Sequence, residues 1–274
     1  MRLLTFLSLL LFAACTSGTD TTTVAADEPG PQGQGETRQE VLSSDPNPPA
    51  EGFNAKASDQ IAIDLADSVV VAYGGRRAYD NTRYFRWDFF GIRTLYWDKQ
   101  AGRVRIESPR DNRVYLLDYS GEELSGRVRD KGNEITDSTA LREALQQAYS
   151  IWINDSYWLV QPFKLKDSGV TLKLIGDNAL DPVVNRPSYQ LQQTFEEVGD
   201  TPGNRYVLWI DKVTNRINTW QFFRSAEDEE PAMQTPYAGV APYNGILLSG
   251  DRGEYSLGNI YAGNRMEERF FSDF

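Results

Sequence analysis

The chain has 274 residues, enough for one large domain or two small ones, and its net charge is −11. That charge argues against nucleic acid as a partner and against anchoring by a basic patch on anionic lipid, since both depend on Lys and Arg meeting phosphates. There is no histidine, which excludes Ser-His-Asp and Cys-His nucleophiles and histidine-ligated zinc or iron.

Residues 1–14 (MRLLTFLSLLLFAA) form a signal peptide by pattern: Arg2, an apolar run from Leu3 to Phe12 too short to span a bilayer, and two alanines before Cys15. Cys15 is the sole cysteine, so no intrachain disulfide can form, and it stands where a bacterial lipoprotein is cleaved and acylated. Phe12 takes the place where such a box usually has leucine. Residues 15–55 then read as a lipidated cysteine and a disordered acidic tether, rich in Thr, Gly, Pro and Gln and poor in large apolar residues. Seven acidic residues against Arg38 give the tether −6; with Arg2 set aside, −6 of the −11 remains for residues 56–274.

The domain of residues 56–274 opens with a helix. Ser58 is its expected cap, Ile61, Leu65, Val69 and Tyr73 its apolar stripe, and Gly74-Gly75 its end. The period then changes to two. Arg83 to Phe90 puts Phe85, Trp87 and Phe89 on one face. Ile92 to Trp97 and Arg103 to Glu107 make a hairpin with Val104 and Ile106 facing in and Arg103, Arg105 and Glu107 facing out. Arg113 to Asp118 is a further strand. A second helix, capped by Ser138, carries Leu141, Leu145, Ala148 and Trp152.

At about Ile151 that helix is expected to hand over to a sheet through the motif IWINDSYWLVQPFKLKDSGVTLKLIGD, Ile151 to Asp177. Asn154-Asp155 and Asp167-Ser168-Gly169 are good turn formers there. Val170, Leu172 and Leu174 share a face, as do Tyr189, Leu191 and Phe195. Arg205 to Asp211 is apolar on both faces, the pattern of a strand covered on both sides, and turns back into Arg216 to Phe223. Glu227 to Pro242 reads as a long loop, Gly245 to Leu248 and Tyr255 to Tyr261 as short strands, and Arg265 to Phe274 as an aromatic-ended tail. Ten or eleven strands with two helices predict a mainly β (α+β) fold. Its core would be a strongly curved antiparallel sheet, an incomplete β-barrel with helices covering the open side.

The stretches WINDSYWLVQPFKLKDSGVTL (Trp152 to Leu172), Thr194 to Gly203 and YVLWIDKVTNRINTWQF (Tyr206 to Phe222), behind a lipoprotein signal, resemble outer-membrane lipoprotein-sorting proteins of the LolA/LolB type. The likeness is nearest to a group of that superfamily with no assigned activity, and it covers Ser58 to Arg224. It implies a half-barrel with a helical lid around an apolar cavity for acyl chains, and no catalytic residues.

Any one of the six tryptophans is most simply core. As a set facing the inside of an incompletely closed barrel, some should line a cavity, and Trp87, Phe89, Trp158 and Phe163 are the expected ligand-binding residues. The expected function is non-catalytic: a monomer in the bacterial cell envelope, lipid-anchored at the outer membrane and facing the periplasm, binding or transferring a lipid or lipoprotein acyl chain. No cofactor or metal is expected, since the Glu227 to Glu230 run lacks the spacing of a calcium loop. The alternative is an envelope glycan-binding protein or a carboxylate-dependent glycoside hydrolase. It would draw on Asp155, Asp167, Lys164 and Lys166 and would need two carboxylates about 5–10 Å apart across a cleft.

Overall fold

The computed structural model describes residues 46–196 and 203–274. The signal peptide, Cys15, most of the expected tether and part of the Thr194 to Gly203 run lie outside the described residues.

Helix α1 (Gln60–Ala72) buries Ala62, Leu65, Ala66, Val69 and Val70. Its N-cap is Asp59 and not Ser58. Both side chains instead fasten the helix to the sheet behind it: Ser58 Oγ accepts from the Leu172 N–H at 3.0 Å, and the Asp59 carboxylate meets Lys173 Nζ at 2.9 Å. The helix ends at Gly74 and Gly75, with φ of 109° and 90°. A Cβ on Gly74 would come within 2.4 Å of the Gly245 carbonyl oxygen, so the residue is required by both conformation and space. A short second helix, α2 (Arg76–Asn81), follows.

The first sheet has seven strands. β1 (Tyr84–Phe89), β2 (Arg93–Asp98), β3 (Arg103–Ser108), β4 (Arg113–Asp118), β5 (Ser125–Asp130) and β6 (Asn133–Glu134) run as a meander, and β14 (Leu257–Gly263) returns to pair with β1. The second sheet is ordered β11-β10-β9-β8-β7, from β7 (Val170–Leu180), β8 (Pro187–Phe195), β9 (Arg205–Asp211), β10 (Ile217–Phe223) and β11 (Met233–Pro236). β12 (Ala238–Tyr243) and β13 (Ile246–Asp251) form a separate hairpin. Among the described residues all the pairings are antiparallel, and the sheets do not close into a barrel. The mainly β, open antiparallel fold expected from the alternation is the fold observed.

Phe85, Trp87, Phe89, Leu95, Val104 and Ile106 all face the main core, as the alternation predicts. β9 is covered on both faces: Leu208 and Ile210 join that core, while Val207 and Trp209 form a smaller cluster with Phe223 on the other side.

Helix α3 (Ser138–Val160) departs most from the sequence reading, for it runs 23 residues instead of stopping near Ile151. Asp137, not Ser138, is its N-cap, accepting from the N–H groups of Thr139 and Ala140. Asn154-Asp155 therefore lies within the helix and is not a turn. Asp155 is turned inward and bound by Arg93, Nε to Oδ2 at 2.6 Å and Nη2 to Oδ1 at 2.8 Å, which ties the helix to the start of β2. Pro162 ends the helix, lying in the 3-10 turn Gln161–Phe163.

Three further segments differ from expectation. Arg105 does not face solvent: only 8 % exposed, it donates to the Phe270 carbonyl oxygen. The C-terminal tail covers it, folding back through helix α4 (Arg269–Ser272) so that Phe270 stacks on Tyr96 and Phe271 on Tyr84. Glu227 to Pro242 contains β11 and most of β12, because Met233 to Pro236 adds itself to the edge of β10. The tether was expected to end at Ala55, yet Ala50 and Asn54 already donate backbone N–H groups to Lys166 and Val170, at 2.9 and 3.0 Å.

Candidate functional site: an aromatic cavity

A cavity of about 800 Å³ lies where the C-terminal half of α3 meets one end of the second sheet. The helix contributes Ser150, Ile153, Asn154, Tyr157 and Trp158; the end of β1 and its turn give Phe89 and Phe90; and β8 to β11 give Phe195, Tyr206, Trp220, Phe222 and Met233. Ala50, Asp167, Ser168 and Asn204 complete the lining.

Strand register explains the sheet wall. Met233 stands opposite Phe222, and Phe222 opposite Tyr206, so three large side chains line up across β11, β10 and β9. Trp220 is two residues from Phe222 on β10 and so shares its face. The rings touch in sequence: Phe195 to Tyr206 at 5.5 Å between centroids, Tyr206 to Trp220 at 5.2 Å, Trp220 to Trp158 at 4.5 Å and Trp158 to Phe90 at 4.8 Å. These are spacings at which aromatic pairs attract.

The turn between β1 and β2 carries backbone strain at the cavity. Phe90 and Gly91 both have positive φ, 52° and 64°. The Ile92 N–H donates to the Phe89 carbonyl at 3.0 Å, closing a tight turn with two left-handed central residues, positions that normally take Asn or Gly. A phenylalanine held left-handed costs on the order of 1–2 kcal/mol. What it gains is ring contact with Phe89 at 3.8 Å and with Trp158.

Two arginines hold the helix wall, Arg93 partly exposed and Arg252 buried. Arg93 binds Asp155, as above; burial pushes the Asp155 carboxyl up, while Arg93 and Asn154 act to lower it. Arg252, fully buried, donates Nη2 to the Trp158 carbonyl oxygen at 2.8 Å and lies 3.6 Å from the Tyr237 ring centroid. A cation there meets the partial negative charge at the C-terminal end of α3. Burial lowers the Arg252 pKa from its ordinary value, with Tyr237 and Tyr73 opposing. It also pushes the Tyr206 hydroxyl up to about 12, so that ring is neutral across the physiological range.

Of the four residues expected at the site, Phe89 and Trp158 line the cavity. Trp87 and Phe163 do not. Trp87 shares the Phe89 face but lies in the middle of β1, where core covers it completely. Phe163 is stacked on Tyr79 at 4.4 Å, inside the core. The aromatic lining residues that sequence reasoning missed are Phe90, Tyr157, Phe195, Tyr206, Trp220 and Phe222. Pairing β9 with β10 on paper would have placed Tyr206 beside Phe222; the strained Phe90 has no such signal.

The charged residues of the central motif do not form one cluster. Lys164 pairs with Asp167 at 2.7 Å, Asp155 with Arg93, and Lys166 with Asp67. Among the described residues, Asp167 is the only carboxylate that lines the cavity. Among the described residues no helix is long and apolar enough to cross a membrane.

Fold and cavity together define an open antiparallel β protein with one aromatic-walled chamber against its long helix. No protein-family model matches the chain, and no curated protein matches it. Among solved structures it is similar to a DUF1329 family protein from Desulfovibrio piger, at 14 % identity and a TM-score of 0.42, covering 77 % of this chain and 96 % of that one. It is also similar to a putative outer membrane lipoprotein-sorting protein domain from Vibrio parahaemolyticus, at 10 % identity and a TM-score of 0.35, covering 70 % and 89 %. Both likenesses concern the fold alone.

Proposed function

We propose that this chain is a lipid-anchored protein of the bacterial cell envelope, held at the outer membrane on its periplasmic side, whose domain binds or transfers an apolar ligand without catalysis. The observation that carries the reading is the cavity, whose volume of about 800 Å³ falls within the range of about 300–1,000 Å³ usual for small-molecule sites. Its walls are largely aromatic rings, among them Phe90, Tyr157, Trp158, Tyr206, Trp220 and Phe222. The anchor rests on Met1 to Cys15. A lipid or an acyl chain fits the lining better than a sugar, because a sugar's hydroxyls need several hydrogen-bonding partners. A glycoside hydrolase needs two facing carboxylates, and among the described residues this lining offers Asp167 alone, engaged by Lys164.

Native mass spectrometry of the gently extracted protein tests the reading. A co-purified lipid or other apolar species is the expected result. Consistent absence of any bound apolar species, or a bound oligosaccharide, would contradict it.

A further inference from the structure

The two turns at the other end of the second sheet are built alike. β7 leads into Asp181-Pro182-Val183-Val184-Asn185-Arg186, and β9 into Asp211-Lys212-Val213-Thr214-Asn215-Arg216. In each, the aspartate Oδ1 accepts the backbone N–H two and three residues on, at 2.8 and 2.9 Å for Asp181 and at 3.0 and 2.8 Å for Asp211. In each, the asparagine is left-handed, with φ of 54° and 53°. Ser188 stands opposite Asp211 across β8 and β9, so the two turns lie side by side.

This construction sorts charge. Asp181 and Asp211 are buried, each with its Oδ1 bound within its own turn. Arg186, Lys212 and Arg216 are exposed at the surface. Arg186 reaches back to Asp211 at 3.1 Å but keeps 54 % of its side chain in solvent. Lys212 Nζ donates to the Asp177 carbonyl oxygen at 2.6 Å. Between these cations Val183 and Val184 are exposed, and Val213 is 83 % exposed, with Leu180 at 61 % beside them. A single exposed valine is unremarkable, but an apolar crown on two adjoining turns ringed by three exposed cations, with the exposed Asp177 beside Lys212, marks an interaction surface.

We propose that this paired tip docks on an anionic lipid surface. The valines enter the headgroup region, and Arg186, Lys212 and Arg216 meet the lipid phosphates. A net charge of −11 argues against lipid binding by the molecule as a whole. The tip is therefore a local cationic and apolar site on a chain that is acidic overall, and it sets the orientation of docking. The cavity lies among Phe195, Tyr206 and Phe222, at the opposite ends of the same strands, about 20 Å away along β9. The tip is therefore separate from the ligand site, and either reading can fail without the other.

The test places an environment-sensitive fluorophore on Val213→Cys in the full chain carrying Cys15→Ser, so that the label reports the tip and not the N-terminal segment. A matched label goes on Glu122→Cys, exposed in the β4–β5 turn. With phosphatidylglycerol vesicles the Val213 label should shift to the blue, and the Glu122 label should not. Adding Lys212→Gln and Arg216→Gln should weaken the response about fivefold per charge removed. An unchanged Val213 spectrum would overturn the proposal and leave a protein as the tip's partner. An equal shift at both labels, or an equal shift with phosphatidylcholine vesicles, would overturn it as well.

Discussion

The Arg252 side chain donates to the backbone carbonyl of Trp158, 94 residues away in the sequence, at 2.8 Å. It thereby fixes the end of α3 that carries a cavity wall. Its Nη1 also reaches Ser249 Oγ and the Asp251 carbonyl. Arg252→Ala would strand these buried acceptors, at about 1–3 kcal/mol each for those that water does not reach. We expect a large fall in the urea midpoint together with a changed emission spectrum from the Trp158 environment. A midpoint within experimental error of the parent would show that Arg252 does not hold the helix end.

Asp155 and Arg93 make the second fastening. Removing one member of a buried pair leaves the other uncompensated, a loss of about 3–5 kcal/mol. Asp155→Ala should reach the lower part of that range, since Arg93 retains some access to water. If Asp155 were instead a general acid or base, Asp155→Asn would leave stability nearly unchanged and abolish an activity. Urea melts of both variants separate the two roles.

How much of this was legible in the sequence follows from which forces were local. Alternation along a strand is a local pattern, and it placed Phe85, Trp87 and Phe89 on the core face and β9 between two covered sides. The length of α3 was not legible, because Asn154-Asp155 favours a turn unless something remote takes up the carboxylate. Arg93 does so from 62 residues away. Arg105 was read as outward for the same kind of reason, since the tail that covers it comes from Phe270 and Asp273. The cavity was half legible. Phe89 and Trp158 stand in motifs rich enough to draw notice, but the wall of Tyr206, Phe222 and Met233 exists only once three strands are in register.

Asp98 predicts a pH dependence. Burial acts to raise its pKa. Hydrogen bonds from Arg83 and Arg103, with the Ala101 N–H, outweigh burial and hold it below its ordinary value. A depressed carboxylate pKa contributes stability above the unfolded value, about 3.9, and loses it as pH falls through the folded value. Asp98→Asn should therefore lower the urea midpoint at pH 7, with a gap that persists to about pH 4 and narrows below it. A gap of the same size at pH 2.5 would contradict the assignment.

Phe90 should show strain exchanged for a cavity wall. Phe90→Asn places a residue the turn prefers at φ 52° and removes one ring from the lining. Stability should be retained or rise by up to about 1 kcal/mol, while affinity for an apolar fluorescent probe falls severalfold. Loss of stability with unchanged affinity would mean that the ring serves only to pack the core.

The central claim is that the aromatic chamber is a binding site and not an accident of packing. It is tested most directly by measuring urea midpoint and apolar-probe affinity on one pair of variants. Phe222→Ala removes a half-buried ring of the cavity wall, and Phe163→Ala removes a ring stacked in the core. A cavity wall already lacks neighbours on one side and loses fewer contacts on truncation. We expect Phe222→Ala to lose most of the probe affinity at little cost in stability. Phe163→Ala should lose about 3–5 kcal/mol of stability with affinity intact in the folded fraction. Parent-like probe affinity in Phe222→Ala would contradict the claim.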